Sequence, residues 1–345
     1  MTSLVIQTAF LGDVVLTTPL LEALAARHGP VDVVTMPAAA PLVETHPAVR
    51  RVIPYDKKGR DRGLAGLLKL AGSLRAERYE CAYLPHRSLR TALLAWLARV
   101  PRRVGFADGR RWLYTEVRPR PHTGHEVDRL LALASPARPA LTGRAMAHAM
   151  PVLETSTADR AATEAFLGEH GIAAPFVALA PGSIWGSKRW PYYDDLAGRL
   201  AGSAGIVVVG GPEDADLGEK IVGAVAGGGG RWRAVNACGQ LTLRQSAEAI
   251  RRSAVLVTND SAPLHFAQAV GTPTVAIFGS TVPAFGFGPR GPRDRVVELT
   301  GLECRPCSAH GPRSCPLGHH RCMKALTVDD VLHAIEETGA LRRRD

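Results

Sequence analysis

Leu4-Val5-Ile6, followed closely by Phe10-Leu11-Gly12-Asp13, decides how the rest of the chain is interpreted. The first run predicts a buried strand, and the second begins a helical pattern. In an open parallel sheet, ligands bind beyond the carboxyl ends of the strands, so a carboxylate that leaves the first strand is a candidate for chemistry. The alternative is that Asp13 caps a helix, since aspartate accepts hydrogen bonds from unpaired amides there. By itself this stretch favours the helix cap.

Length and composition indicate a two-domain globular protein. The chain has 345 residues, beyond the size at which one core stops growing, and 46% of them are hydrophobic. No run approaches the roughly 20 apolar residues that span a bilayer. Residues 1–19 lack the basic start and the small-residue cleavage site of a secretory signal. We therefore expect a cytoplasmic protein.

The formal net charge of +10 indicates an acidic partner. Nucleic acid, anionic lipid headgroups and a negatively charged substrate all fit this charge. Because the arginines are scattered along the chain rather than gathered in one block, the charge favours an acidic substrate only weakly.

Apolar β-rich runs alternate with amphipathic helical stretches in both halves of the chain, which predicts βαβ units and parallel sheets. The pattern dissolves into Pro, Ala, Ser and Thr over residues 134–159, where we place a linker. The fold class predicted is α/β, with two Rossmann-like doubly wound domains that face each other across a cleft. The domains are expected at 1–155 and 156–325, and a final helix and basic tail at 326–345 is expected to pack back on the first domain.

Residues 181–191, PGSIWGSKRWP, directly follow a predicted strand and resemble a phosphate-binding loop. Gly182 and Gly186 allow backbone amides to approach an anion, and Lys188 and Arg189 add fixed positive charge. The spacing is not that of a P-loop. A surface turn with extended basic side chains is the alternative, which the two tryptophans of the loop disfavour.

Residues 258–265, TNDSAPLH, follow another predicted strand. Asp260 and Ser261 both suit helix N-capping, and Ser261 can also present its hydroxyl and amide to a pyrophosphate. His265 falls on the first turn of the helix. A cap without a ligand explains Asp260 alone, but it does not explain both loops, because the strand-end loops of one sheet converge on one crevice.

A third turn at the end of a predicted strand, Gly210-Gly211-Pro212-Glu213-Asp214, is rich in glycine. Glu213 is placed to meet a ribose or sugar hydroxyl. A solvated acid in a turn explains it nearly as well.

Taken in order, these motifs resemble those of the lipopolysaccharide heptosyltransferases of glycosyltransferase family 9, in particular the ADP-heptose-dependent heptosyltransferase II type. The resemblance runs from Ser3 to about Phe278 and departs from the usual pattern at Ala262-Pro263. It implies a GT-B fold, an acceptor-binding first half, a donor-binding second half, and inverting transfer without a catalytic metal. The residues that carry it are Gly12-Asp13, Ser73-Leu74-Arg75, Arg78-Tyr79, Pro181-Gly182, Lys188-Arg189-Trp190-Pro191, Thr258-Asn259-Asp260-Ser261 and His265.

The resemblance assigns catalytic roles to Asp13 and Lys188. Asp13 matches the base that takes the proton from the acceptor hydroxyl as it attacks the anomeric carbon. Lys188 and the amino end of the helix after Ser261 would stabilise the departing nucleoside diphosphate. The donor-binding residues that it implies are Gly182, Ser183, Ser187, Lys188, Arg189, Trp190, Gly211, Glu213, Asp260, Ser261, Ala262 and His265.

The implied acceptor is the acidic inner core of lipopolysaccharide. The basic residues best placed to meet it are His86, Arg87, Arg90 and Arg103, although each arginine equally suits a solvated surface. Gly12 leaves room for the sugars beside the base. The partners expected are ADP-heptose and this acceptor, with peripheral contact at the cytoplasmic face of the inner membrane. A monomer that binds no nucleic acid is expected.

Cys304, Cys307, Cys315 and Cys322 have the spacing C-x2-C-x7-C-x6-C. In a reducing cytoplasm this spacing predicts a structural tetrahedral zinc site rather than disulfides. The alternatives are a compact structural segment without metal and a zinc knuckle that binds nucleic acid. The nucleic-acid alternative is disfavoured because the segment lacks the interleaved aromatic residues that stack on bases. No cofactor is expected to take part in catalysis.

Three rival functions remain open. A sugar-nucleotide 2-epimerase of the same fold needs several acids around the donor sugar, and only Glu213, Asp214 and Asp260 are found there. A nucleotide-sugar or nucleic-acid binding protein without turnover would not need the carboxylate of Asp13. The third rival is a family 9 glycosyltransferase that uses another nucleotide sugar, because no residue type in the loops identifies adenine. The function predicted is heptose transfer from ADP-heptose to the lipopolysaccharide inner core.

Overall fold

A computed structural model describes residues 2–134, 149–227 and 232–341 of the chain. The chain divides into two compact units, Met1–Glu154 and Thr155–Asp345, each built on one six-stranded parallel sheet. The division falls beside the boundary predicted at residues 155 and 156. Within the described ranges, no helix has the length and apolar character needed to cross a membrane. Most of the predicted linker and the last residues of the basic tail lie outside these ranges.

The first unit has the strand order of a doubly wound sheet, in which the first strand lies inside and the chain crosses over once. Its strands are β1 (Ser3–Ile6), β2 (Val31–Thr35), β3 (Val49–Pro54), β4 (Cys81–Leu84), β5 (Arg102–Phe106) and β6 (Glu116–Arg118), and its helices are α1 (Leu11–Leu16), α2 (Thr18–His28), α3 (Pro41–Glu44), α4 (Gly63–Ala76), α5 (Leu89–Leu97) and α6 (Glu126–Leu131). The sheet order is β3-β2-β1-β4-β5-β6. Every residue of β1, β2 and β4 is buried, as expected for strands covered on both faces.

The second unit repeats this topology. Its strands are β7 (Phe176–Ala180), β8 (Gly205–Val208), β9 (Ala234–Asn236), β10 (Val255–Asn259), β11 (Thr274–Phe278) and β12 (Arg295–Glu298), and its helices are α7 (Thr157–Glu169), α8 (Tyr193–Leu200), α9 (Ala215–Gly227), α10 (Leu243–Arg252), α11 (Ala262–Val270), α12 (Arg321–Lys324) and α13 (Val328–Glu337). The order β12-β11-β10-β7-β8-β9 matches that of the first sheet when counted from β7. The sequence pattern does not predict the short edge strands β6, β9 and β12, because polar or charged residues interrupt the apolar run in each of them.

Residues 11–28 form two helices, α1 and α2, that meet at Thr17. Pro19 causes the break, since its ring clashes with the carbonyl four residues earlier and it has no amide hydrogen to donate. The hydroxyl of Thr18 donates to the Val15 carbonyl at 2.8 Å and so satisfies one of the carbonyls left at the break. As a result, Asp13 lies on a short helix of its own.

The last helix packs within the second unit. α13 contacts β12 and buries Val331, Ala334 and Ile335 in the core of that unit. These contacts lie within the second unit. The packing of residues 326–345 back on the first domain stays a prediction.

Candidate functional site

Asp13 lies in the first turn of α1, just beyond the carboxyl end of β1. Its Oδ2 accepts a hydrogen bond from the Phe10 amide at 3.1 Å, so the carboxylate does stabilise the start of its helix, although Phe10 and not Asp13 is the N-cap residue. The Gln7 side chain fixes the preceding turn, because it donates to Thr17 Oγ1 at 3.1 Å and accepts from the Ala9 amide at 3.3 Å. Asp13 is therefore held in one position by its backbone neighbours.

The negative charge of Asp13 is poorly compensated. The pKa of Asp13 is raised to about 6, first by burial and then by the Glu126 carboxylate, against the smaller opposing effects of the Phe10 hydrogen bond and of Arg120. Arg120 instead pairs with Glu126, with Nη2 2.6 Å from Oε2. No cation of the described residues forms a salt bridge with Asp13. Such a carboxylate is ionised at neutral pH and still takes up a proton readily.

The sequence reasoning missed the Arg120 and Glu126 pair. Arg120 comes from the irregular stretch before α6, and Glu126 is the first residue of that helix. An acid at the first position of a helix has an ordinary explanation in the helix dipole, so Glu126 carries no distinguishing signal in the sequence.

A basic cluster lies at the carboxyl ends of β1, β3 and β4. Lys57 Nζ donates to the Thr8 carbonyl at 2.6 Å. His86 Nδ1 is buried with no hydrogen-bond partner among the described residues, and the pKa of His86 is lowered by burial and then by Lys57 and Arg87. Arg87 is exposed and lies 3.2 Å from Asp108. The prediction named His86 and Arg87 but missed Lys57, which follows a strand whose end was not recognised as part of the site.

Two predicted acceptor residues are engaged with the protein itself. Arg90 Nη2 donates to two carbonyls of the loop after β3, at 3.0 and 2.8 Å, and its guanidinium lies over the Tyr55 ring. Arg103 donates to the Leu113 carbonyl at 2.8 Å. It lies at the amino end of β5, whereas Asp13 lies beyond the carboxyl end of β1. That position does not fit the acceptor role predicted for Arg103, because ligands collect at the carboxyl ends of the strands.

In the second unit, Lys188 and Asp260 join the ends of three strands. Lys188 closes the short 3-10 helix Gly186–Lys188 after β7, and its Nζ lies 2.7 Å from Asp260 Oδ2. The same oxygen accepts a hydrogen bond from Thr281 Oγ1 at 2.6 Å, in the loop after β11. The side chains of Lys188 and Asp260 are only 10% and 11% exposed. Asp260 therefore positions the ammonium group rather than capping the next helix.

Asn259 forms hydrogen bonds near both ends of the loop formed by residues 181–191. It is fully buried at the end of β10. Its Nδ2 donates to the Pro181 carbonyl at 2.8 Å, and its Oδ1 accepts from the Trp190 amide at 3.1 Å. The sequence reasoning gave Asn259 no role of its own, although a buried amide that ends an apolar strand must find polar partners.

The amino end of α11 points beyond the end of β10. Ser261 is its N-cap, but its side chain makes no cap hydrogen bond, and α11 begins at Ala262. The first amides and the helix dipole together favour an anion there. His265 is buried with Nδ1 3.2 Å from Gln268 Oε1, and burial lowers the pKa of His265. Burial therefore disfavours the charged form of His265.

Gly182 allows the loop after β7 to approach the turn after β8 closely. A Cβ at Gly182 would lie 2.2 Å from Asp214 Oδ2. Asp214 is buried, accepts a hydrogen bond from the Gly211 amide at 3.2 Å, and has its pKa raised by burial. Glu213 is exposed on the same turn, where it was predicted to meet a hydroxyl group.

Three further predicted donor residues shape the loop. Arg189 Nε donates to the Ser183 carbonyl at 2.9 Å and so closes the loop on itself. Trp190 is buried in the core of the second unit, and its Nε1 donates to the Leu326 carbonyl at 3.0 Å. These contacts differ from the direct donor-binding role predicted for Trp190, since a buried indole presents no face to a ligand.

The cysteine-rich segment packs against the Lys188 loop. Ser187 Oγ donates to the Pro312 carbonyl at 2.6 Å, and His320 Nε2 lies 2.9 Å from the Ser187 carbonyl. The segment belongs to the second unit, and it lies inside the bounds 156–325 predicted for the second domain. The Ser187 hydroxyl, predicted to bind the donor, is used for this packing.

The predicted zinc site is not assembled in this structure. The four cysteines of the segment are free thiols. Across the described residues, no group of three or more His, Cys, Asp or Glu side chains is arranged to hold a metal ion. Cys307 Sγ is directed at the Cys304 carbonyl and Cys315 Sγ accepts from the His320 amide, both at 3.4 Å. The residues present therefore do not fit the tetrahedral ligand set that their spacing predicts.

Known proteins share both the sequence and the fold. Lipopolysaccharide heptosyltransferase 2 of Escherichia coli is 29% identical, over 98% of this chain and 97% of that protein. The enzyme of the same name from Salmonella typhimurium is 27% identical, over 86% of this chain and 87% of its own length. Among solved structures, that of the E. coli ADP-heptose lipopolysaccharide heptosyltransferase II superposes with a TM-score of 0.78 at 27% identity, covering 99% of this chain and 98% of that chain.

A family 9 glycosyltransferase from Veillonella parvula superposes with a TM-score of 0.81 at 24% identity, covering 98% of this chain and 96% of that chain, which shows the fold. These likenesses confirm the predicted GT-B class. The sequence profile of glycosyltransferase family 9 (heptosyltransferase) matches residues 67–316, well over half of the chain. The protein therefore belongs to glycosyltransferase family 9 and is a glycosyltransferase.

Proposed function

We propose that the protein transfers a heptose from ADP-heptose to the inner core of lipopolysaccharide, with inversion at the anomeric carbon. The observation that carries the proposal is Asp13, a carboxylate beyond the first strand whose pKa is raised to about 6 and which has no salt bridge among the described residues. The heptosyltransferase 2 relatives support the donor and the acceptor. In this proposal residues 1–155 bind the acceptor and residues 156–325 bind the donor.

The reaction begins at Asp13. Its unprotonated oxygen takes the proton of the acceptor hydroxyl while the oxygen of that hydroxyl attacks the anomeric carbon. The bond from that carbon to the diphosphate oxygen breaks on the opposite face, so the configuration inverts. The hydrogen bond from the Phe10 amide keeps the carboxylate oriented during the transfer. Asp13 ends the step protonated and returns its proton to solvent.

The diphosphate leaves with a developing negative charge. Lys188 and the first amides of α11, after Ser261, supply positive potential for it. The Asp260 carboxylate fixes the ammonium at the strand ends before the donor binds, which reduces the reorganisation needed in the reaction. Metal-independent transfer is part of the proposal, and Glu213 is assigned to a ribose hydroxyl.

The acceptor is assigned to the basic cluster of the first unit. Lys57, His86 and Arg87 surround the carboxyl end of β4, near the start of α1. Inner-core sugars carry carboxylates and phosphates, which match this charge. Because the acceptor is part of a lipid-anchored molecule, we place the enzyme at the cytoplasmic face of the inner membrane, as a peripheral protein.

Calorimetry and a transfer assay test the proposal together. We expect ADP to bind and UDP to bind at least about tenfold more weakly. Heptose from ADP-heptose should appear on a truncated core oligosaccharide, and the product should have the inverted anomeric configuration by NMR. Tight UDP binding without a response to ADP would overturn the donor assignment. Retention of configuration would overturn the role of Asp13 as a base.

A further inference from the structure

One face of the first unit is both apolar and exposed. α4 and α5 pack on the same side of the sheet and bury Leu67, Leu74 and Leu94 in its core. Positions four and seven residues apart on a helix lie on one side, so the exposed residues of each helix form a stripe. We call this surface the α4–α5 face, and its large exposed apolar residues are Leu64, Leu68, Leu89 and Trp96, which are 64, 48, 44 and 50% exposed.

The charge of the α4–α5 face has one sign. The two helices carry Lys69, Arg75 and Arg90 but no aspartate or glutamate. Arg75 and Arg99 also line a surface groove of about 580 Å³ beside Trp96. Within the described part of the chain, Lys69, Arg75 and Arg99 form no salt bridge with a carboxylate. The face therefore offers cations that no acidic side chain neutralises.

We propose that the α4–α5 face binds the surface of a membrane that contains anionic lipids. Leucine side chains enter the acyl region, tryptophan is favoured at the level of the headgroups, and basic residues attract anionic phosphates. Arg75 and Arg99 line the groove beside Trp96, and arginine side chains suit a headgroup phosphate. The inference rests on the proposed function for its purpose, because a lipid-anchored acceptor requires the enzyme to work at a membrane surface.

Vesicle binding by the full chain tests the inference. Neutral phosphatidylcholine vesicles are compared with vesicles that contain about 30% phosphatidylglycerol, at low and high salt. We expect binding to the anionic vesicles only, weakened by salt. Leu68→Gln with Trp96→Gln, and Arg75→Gln with Arg99→Asn, should each lower the binding about tenfold. Asparagine is chosen because Arg99 has a positive φ of 55°, which asparagine tolerates.

The matched control lies on the other unit. Val296 is an exposed apolar residue on β12, and Lys220 on α9 is an exposed cation. Val296→Gln with Lys220→Gln should leave vesicle binding unchanged. Equal binding to neutral vesicles, or unchanged binding by both α4–α5 variants, would overturn the inference. So would a dimer, seen by sedimentation velocity, that the Trp96 variant dissociates, since a second copy would then cover the face.

A soluble acceptor separates this inference from the proposed function. On a truncated core oligosaccharide without lipid, the α4–α5 variants should keep the transfer rate of the unaltered protein. On the same acceptor embedded in anionic vesicles, they should lose about tenfold. If the unaltered protein fails on the soluble acceptor, the proposed function is wrong while vesicle binding still stands. If the variants lose nothing on the vesicles, the α4–α5 face is not the binding surface.

Discussion

Asp13 and Asp260 each lie beyond the carboxyl end of a central strand of their sheet, yet their surroundings differ. Each follows a strand from the middle of a doubly wound sheet, β1 in the first unit and β10 in the second. Asp260 has an ammonium 2.7 Å away and a hydroxyl at 2.6 Å. Asp13 has one backbone amide, and the nearby Arg120 pairs with Glu126. One carboxylate is neutralised and the other is left with its charge.

The difference separates a positioning group from a basic one. The Asp260 carboxylate holds the Lys188 ammonium in place, together with the Thr281 hydroxyl. A carboxylate that is buried near another acid gains from protonation, and its pKa rises. The same side chain therefore serves as an anchor for Lys188 in one unit and as a base in the other.

The largest effect is expected from Asp13→Asn. Asparagine still accepts the hydrogen bond of the Phe10 amide, so α1 keeps its start, but the amide cannot take a proton. Transfer should fall about 10³-fold or more. ADP affinity, measured by calorimetry, should change less than about twofold, because the assigned donor site belongs to the other unit. Turnover close to that of the unaltered enzyme would show that another group is the base.

The next effect is expected from Lys188→Ala. Loss of the ammonium should lower kcat about 10²-fold, because the leaving diphosphate loses a nearby cation. The change also leaves Asp260 buried without its partner, which should cost about 3 kcal/mol of unfolding free energy. Denaturant unfolding measures the second effect.

The double variant Lys188→Ala with Asp260→Asn separates the two effects. Removing the uncompensated carboxylate should restore most of the lost stability, since Asn can still accept from Thr281 Oγ1. Transfer should remain low. If activity recovers together with stability, Lys188 has only a structural role.

The strands and the main loops could be predicted because their signals are local. A buried strand such as 176–180 reads as a short apolar run, and a loop with Gly182 and Lys188 follows it directly. The opposite holds for the pair of Arg120 and Glu126, which matters only because the fold brings it beside Asp13. Long-range partners of this kind leave no pattern in a single sequence.

For three other predicted features, the surroundings in the structure could not be predicted for the same reason. Arg103 is next to a strand, but which end of the strand it occupies depended on where β5 begins. Cys304 and Cys307 have a spacing typical of zinc ligands, but spacing does not determine how the thiols are directed. Trp190 lies in a binding loop by sequence and in the core by structure. Each case needed the packing of distant elements, which local pattern does not contain.

The pH dependence tests the raised pKa of Asp13 directly. The base must be ionised, so transfer should be maximal above pH 6 and fall about tenfold per unit below it, with an apparent pKa near 6. The ordinary aspartate value of 3.8 would keep the rate constant down to pH 5. Steady-state kcat/KM between pH 5 and 8 measures it. In the Glu126→Gln variant the midpoint should move downward, because the neighbouring negative charge is gone.

The smallest effect concerns stability and has the opposite sign to the loss of activity. Because the pKa of Asp13 is higher in the folded chain than the ordinary value of 3.8, the folded state binds its proton more tightly. The unfolding free energy therefore falls as the pH rises from about 4 to about 6, and above that range the charged carboxylate destabilises the protein. At pH 8 the Asp13→Asn variant should be more stable than the unaltered protein by about 1 kcal/mol, a value that is reduced for the partial exposure of the Asp13 side chain. Below pH 4 the unfolding free energies of the two proteins should be equal. Urea unfolding at the two pH values measures the difference. An asparagine variant that is less stable at pH 8 would mean that the charge of Asp13 contributes to the fold as that of Asp260 does, and the contrast between the two carboxylates would disappear.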